Sequence, residues 1–568
     1  MFEYTYENLK RMAQTEQGKK LIAEVKSFYD ELYAGSPIPV TNYSYYKLIY
    51  KTGDRDCFQK IYYDRRARLC YLQLLALADD AYIDELENVL NVILEEYTWV
   101  LPAHNLQKDN SFDYTVIDLF SSETGYYLAE TLYVFGDRLS LDIRNRIYAE
   151  LKKRIVDNFE SRSQLWETLI NNWAAVCSGS VGITYLYAFP ERFDSVKDRL
   201  FACMERYLSG LPEEGVSLEG VGYWVYGFGF FIQFFDIYNQ ATGEFPEILE
   251  RQKVVNSLQY IENACLGGKS YLPYADGGSK ETYVHPPVSY AAKRLFGEKY
   301  TLPSYYSIDR EFVSFLPYNT GKSSVFRVLY GIEKFGLEDK KTDEKKTVYY
   351  KESQIFIHKN EKYSFTAKCG TNAETHNHND VGSFQIVVDG QGVIVDPGAA
   401  KYTWQYFKDN NVRYSEEVFA AGSMGHSVPI VNGGYQKLGV EDVGGVIEAT
   451  DRNFKFDFAK VYDGVTLLVA DYQMQENGVK IVYDCEGVEE KIRFRFLSWN
   501  EPKRQADGSL DVGVIVKSGS GLTPIVTKVN YKGHVNLRGG LHDETIYTID
   551  FEVVGKASVK EEFEFIVK

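Results

Sequence analysis

Near residue 320 the hydrophobic pattern of this chain changes period, and that change limits the folds open to it. Upstream, apolar residues recur at three- and four-residue spacing. Within Leu72–Leu101, residues Leu74, Leu75, Leu77, Ile83, Leu86, Val89, Leu90, Ile93 and Leu94 form one stripe with acids opposite, as in an amphipathic helix. Tyr126–Phe135, Leu139–Phe159, Trp173–Ala188, Phe193–Leu208, Phe228–Thr242 and Pro246–Ala264 repeat the theme, joined by links such as Phe135-Gly136-Asp137. Downstream, short runs alternate with period two, the mark of half-buried strands: Ser323–Tyr330, Thr347–Tyr350, Gln354–His358, Tyr363–Lys368 and Phe384–Val388. Val446–Ala449, Lys460–Tyr462, Val465–Tyr472, Lys480–Tyr483, Lys491–Leu497, Thr523–Val529 and Thr545–Val554 continue it, and the charged Lys340–Lys346 reads as an exposed loop. At 568 residues the chain is too long for one core. Helices followed by strands predict a multidomain α+β protein, with an α/α toroid over residues 1–318 and an antiparallel β-sandwich over 319–568. No fixed-period repeat is visible, which favours a closed toroid over an open solenoid.

Charge and cysteine usage exclude several functions. A net charge of −17 argues against a nucleic-acid surface, though a local basic cleft for an anionic substrate is compatible with it. The seven cysteines are odd in number and scattered without a C-x-x-C pair, so they read as reduced thiols. Met1–Lys20 lacks an apolar signal core, and no later run is long enough to span a bilayer. The expected location is cytoplasmic if the chain is complete, and secreted or periplasmic if a signal peptide has been removed. The 46 tyrosines and 6 tryptophans lean weakly toward carbohydrate, because their rings stack on sugar faces but also fill ordinary cores. Nothing in the sequence sets the oligomeric state.

Chemistry concentrates in Thr375-His376-Asn377-His378-Asn379-Asp380-Val381-Gly382-Ser383-Phe384, then Val393-Ile394-Val395-Asp396-Pro397-Gly398. Two of eight histidines stand two positions apart at the mouth of a strand-like run, where alternation would turn both to one face. The turn Asp389-Gly390-Gln391-Gly392 is hairpin chemistry that can return Asp396 to their side. His426 precedes another short strand, Val428–Val431. Two histidines and an aspartate make a plausible zinc set. A single strand histidine is usually a packing residue. Two of them, flanked by Asn377, Asn379 and Asp380, are too many polar groups to bury without a task.

Two stretches stand out in the helical part. Asn171-Asn172-Trp173 sits at a helix start, where paired asparagines often serve only as caps. Glu219-Gly220-Val221-Gly222-Tyr223-Trp224-Val225-Tyr226-Gly227 exposes backbone between aromatic rings, a composition suited to a sugar cleft or to a buried aromatic helix start.

Together these stretches, with Val395-Asp396-Pro397-Gly398 and His426-Ser427-Val428, resemble the heparinase II/III-like polysaccharide lyases, in the family's order across most of the chain. The resemblance implies an incomplete (α/α) toroid followed by an antiparallel β-sandwich, and eliminative cleavage of a uronic-acid polysaccharide or oligosaccharide. It implies Asn172 as neutraliser of the uronate carboxylate with Asn171 beside it, Tyr226 as acid and also a candidate base, and His376 as base or second neutraliser. It also implies a structural zinc on His378, Asp396 and His426. Glu219, Tyr223, Trp224, Tyr402 and Arg413 are expected to contact substrate, with Tyr414 nearby; arginine suits planar anions. Trp173 stands where some members carry a histidine, which favours neutralisation by asparagine. A glycosaminoglycan such as heparan sulfate, hyaluronan or chondroitin is the favoured polymer. An alginate or other oligouronide exolyase is the alternative, and a non-catalytic uronide-binding protein is the alternative of another class. A cupin-like metal enzyme would share the His-x-His pattern but leaves the helical part unexplained.

Overall fold

Helix Asn172–Ala188 is apolar on every side, and the helical half is built around it. Ala174, Ser178, Gly179, Ser180 and Gly182 keep its surface small, and fifteen of its seventeen residues are buried. A side chain at Gly182 would stand 2.4 Å from the Phe234 ring, so the small residue sets how closely Gly229–Thr242 approaches. Leu119–Phe135 and Lys197–Ser209 pack on its other sides. The computed structural model describes residues 2–105, 112–277, 284–297, 302, 307–320, 324–335, 345–399, 402, 406, 416–532 and 543–568. Among these no helix is long and apolar enough to cross a membrane.

The second half is antiparallel sheet. Lys346–Tyr350, Ile355–Lys359, Ser364–Lys368, Phe384–Val388 and Gln391–Ile394 pair in sequence order as a meander. An eight-stranded sheet runs from Lys503–Arg504 to Gly445–Thr450, with Ser558–Val567, Gly478–Glu486 and Leu467–Gln475 at its centre. A four-stranded sheet places Ile430–Val431 beside Lys491–Ser498. Phe365, Phe384, Phe456, Tyr472, Phe496 and Phe563 fill the shared core. Gly478–Glu486 alternates buried and half-buried positions, as a strand covered on one face should. The architecture is an incomplete (α/α) toroid followed by an antiparallel β-sandwich.

The structure corrects several local expectations. Ser323–Tyr330 was expected as a strand, but Val325–Phe335 is a helix. Val325, Val328, Leu329 and Ile332 also fit helical spacing, and the buried Arg327–Glu130 pair ties that helix to Leu119–Phe135. The helical domain therefore extends past residue 318, and apart from the short ribbon Cys265–Gly267 with Ser270–Tyr271 the strands begin at Lys346. Most of the Lys340–Lys346 loop lies outside the described residues. Lys460–Tyr462 is not a strand, since Ala459–Val461 forms a single 3₁₀ turn. Leu72–Leu101 is two helices, Asp56–Ala78 and Ile83–Leu94, because the Asp79 side chain caps a new turn at Ala81.

Candidate active site

Asn171 and Asn172 take different tasks. The Asn171 side chain accepts from the Trp173 backbone N–H at 3.2 Å, a helix cap. Asn172 is buried, and its amide donates to Glu219 Oε2 at 3.0 Å. The other Glu219 oxygen lies 3.8 Å from His376 Nε2. A carboxylate already sits between the amide and the imidazole.

The stretch after Glu219 is bent to meet a second loop. Gly220 has φ 102°, and a side chain there would fall 2.4 Å from the Cα of Gly277. Gly222 N–H donates to the Gly277 carbonyl at 2.8 Å. Only a glycine pair lets the strands of chain approach so closely, and the contact delivers Asp276 into the site. A short π-helix, Trp224–Phe228, follows; such turns recur at functional sites. Trp224 is a correction: it is fully buried, with its indole N–H on the Ser257 carbonyl and hydroxyl, so it is a core residue and not a cleft residue. Tyr223 remains partly exposed and stacks on His376 with centroids 4.3 Å apart. Tyr226 is partly exposed too, and its hydroxyl donates to Glu123 Oε1. Burial, and then the charge of Glu123, hold its phenol well above the ordinary tyrosine range.

The histidine stretch is loop, not strand. Phe384 opens the strand, and His376 has φ 55°, so the expected i, i+2 alternation does not apply. What aims both rings is Asp276. It accepts from His376 Nδ1 at 2.6 Å and His378 Nε2 at 3.1 Å, and from the hydroxyls of Tyr402 at 2.8 Å and Tyr406 at 2.9 Å. Burial alone would raise this carboxyl, but the bonds from His376 and His378 hold it well below the usual carboxylate range. The loop is clipped at both ends by the buried Lys368, which bonds Glu374 at 2.9 Å and Asp380 at 3.0 Å.

His378, Asp396 and His426 converge, with candidate donor atoms within 4.8 Å of one another and all three residues buried. The hairpin Phe384–Val388 to Gln391–Ile394 returns Asp396 as the turn chemistry suggested. Its carboxylate takes hydrogen bonds from His426 Nδ1 at 2.7 Å, Ser383 at 2.9 Å and the Gly398 N–H at 3.1 Å. His378 Nδ1 and His426 Nε2 are buried without a hydrogen-bond partner among the described residues. Two orphaned imidazole nitrogens beside a carboxylate fit a nitrogen- and oxygen-ligated cation.

Tyr402 faces the site, bonded to Tyr223 at 2.7 Å, whereas Arg413 and Tyr414 lie outside the described residues. Three contributors escaped the sequence reading. Asp276 and Glu123 are the centres of the two networks above. His104, held by the buried Asp118 at 2.7 Å, contacts the Trp173 ring edge-on at 4.8 Å. An acid amid apolar helix turns, and an aspartate before paired glycines, were the signals available.

Residues 342–455 match the family model described as Heparinase II/III-like, C-terminal. No curated protein matches the sequence. The fold is similar to a crystal structure of heparinase III, with TM-score 0.61 at 12% identity over 96% of this chain and 85% of that one. It is similar to the Streptomyces coelicolor A3 chondroitin AC lyase in complex with chondroitin sulphate, with TM-score 0.56 at 10% identity over 99% and 82%. The heparan sulfate lyase HepC from Pedobacter heparinus gives TM-score 0.53 at 10% identity over 100% and 91%.

Proposed function

We propose that this chain, which belongs through its residues 342–455 to the heparinase II/III-like family, is a polysaccharide lyase, a carbon–oxygen lyase, acting on 4-linked uronic-acid glycans by β-elimination. The observation that carries the reading is the Glu219 carboxylate between the Asn172 amide and His376. Elimination must strip the C5 proton beside an ionised carboxylate, which is barely acidic until donors neutralise that carboxylate. Asn172 and His376 are residues that can do so, and the place between them accommodates a carboxylate. Tyr226, one turn from the Tyr223 that stacks on His376, supplies the proton for the leaving O4. The product carries a 4,5-unsaturated uronate end. Among polymers, the glycosaminoglycans are favoured by the company the fold keeps with heparinase III and chondroitin AC lyase.

Zinc is proposed on His378, Asp396 and His426, whose orphaned nitrogens and carboxylate suit it better than an all-oxygen cation. When bound it would supply structural cross-linking at the ends of the strands. Asp276, accepting from His378 Nε2, would orient that ligand from outside.

The test is a panel of uronic-acid polymers and oligomers scored for ultraviolet absorbance of the unsaturated product. Absorbance growing with one of them supports the reading, and binding without any absorbance would leave a uronide-binding protein in its place. On the cleaved substrate, Asn172→Ala should lower kcat by about a hundredfold while KM changes far less, because the amide's partner charge grows in the transition state. A rise in KM alone would make Asn172 a binding or packing residue.

A further inference from the structure

Glu123 is a carboxylate buried within the helical half. It lies in the first half of Leu119–Phe135, flanked by the buried Ser122 and Thr124, and is itself 4% exposed. Its two oxygens receive two phenols, Tyr226 on Oε1 and Tyr127 on Oε2 at 3.4 Å. Tyr127 lies one turn along the same helix, whereas Tyr226 is the partly exposed residue of the π-turn Trp224–Phe228. The hydroxyl proposed to act on substrate is thus already committed, as donor, to a buried carboxylate.

Resting on the lyase reading above, we propose that Glu123 and Tyr226 work as a proton-relaying pair, with Glu123 acting through the tyrosine as its positioning partner and proton store. The C5–H bond breaks and its proton goes to the Tyr226 oxygen while the phenolic proton moves to Glu123 Oε1. The C5 electron pair forms the C4=C5 double bond, and the C4–O4 pair leaves with O4. Tyr226 then gives its proton to O4 and recovers one from Glu123. One proton has passed from C5 to O4, and both residues end as they began. The phenol's raised affinity for its proton explains why a store is needed, since a resting phenolate is not populated at neutral pH. In this arrangement Tyr226 is both base and acid, and His376 serves as a neutraliser beside Asn172.

Glu123→Gln keeps the acceptor and the shape but cannot take the proton. On a uronide that the wild type cleaves, it should lower kcat by about a hundredfold with KM within about threefold. Combined with Tyr226→Phe, it should add no further loss, because the two residues form one unit. A Gln variant with near-wild-type kcat, or fully additive losses in the double variant, would make Glu123 a packing residue and overturn the proposal. A second measurement needs no variant: single-turnover cleavage by the wild type should be slowed both by deuterium at C5 of the substrate and by heavy water, and the heavy-water effect should persist with the C5-deuterated substrate, since the carbon-bound and the phenolic proton move in one step. Absence of a heavy-water effect on the C5-deuterated substrate overturns the relay even if the Gln variant does not fold. Absence of any cleaved uronide is a different failure, that of the lyase reading, and removes this inference with it.

Discussion

Tyr226→Phe is expected to lower kcat on the cleaved uronide by about a hundredfold or more, with KM and melting temperature near those of the wild type. The change deletes one oxygen. The ring keeps its edge contact with Phe230 at 5.8 Å, and the Glu123 carboxylate keeps Tyr127 as a donor. What disappears is the only group on that turn able to carry a proton between C5 and O4. Steady-state kinetics beside a thermal melt check this, and an unchanged kcat removes Tyr226 from its proposed role.

The second large effect concerns the metal. Elemental analysis should find about one zinc per chain. Chelation should lower the melting temperature by roughly 5–10 °C, the consequence of losing an ion that binds only the folded state. His378→Ala should lower both metal content and melting temperature, because it removes one of three donors drawn from separate stretches of chain. His376→Ala should instead abolish activity and leave the metal in place, since its nitrogens face Asp276 and Glu219. If a metal-free preparation melts at the same temperature with full activity, the zinc assignment is wrong, and the three residues are a hydrogen-bonded cluster.

Sequence pattern reached the architecture because the change in hydrophobic period is a property of many residues at once. It erred where few residues carry the signal. Val325–Phe335 fits both periods over so short a window, and tertiary partners such as Glu130 decided it. The convergence of Asp396 with His378 and His426 was legible from hairpin chemistry, because the turn at Asp389-Gly390 sets where Asp396 returns. The aim of the histidines was not. Strand alternation gave the right pairing of His376 and His378 for the wrong reason, and the carboxylate that aims them lies about a hundred positions away, at Asp276. Trp224 shows the converse error, a tryptophan between two partly exposed tyrosines that the π-turn directs into the core. Local sequence cannot tell which of three neighbouring rings faces out.

Asp276 belongs to the helical half, and both imidazoles it holds belong to the sandwich. Neither half therefore owns the candidate site. Its inheritance is that of a seam: Gly220, Asp276 and Gly277 on one side and the His376–His378 loop on the other make a matched set. A chimera that exchanges one half between relatives is expected to lose the aim of His376 unless the seam travels with it.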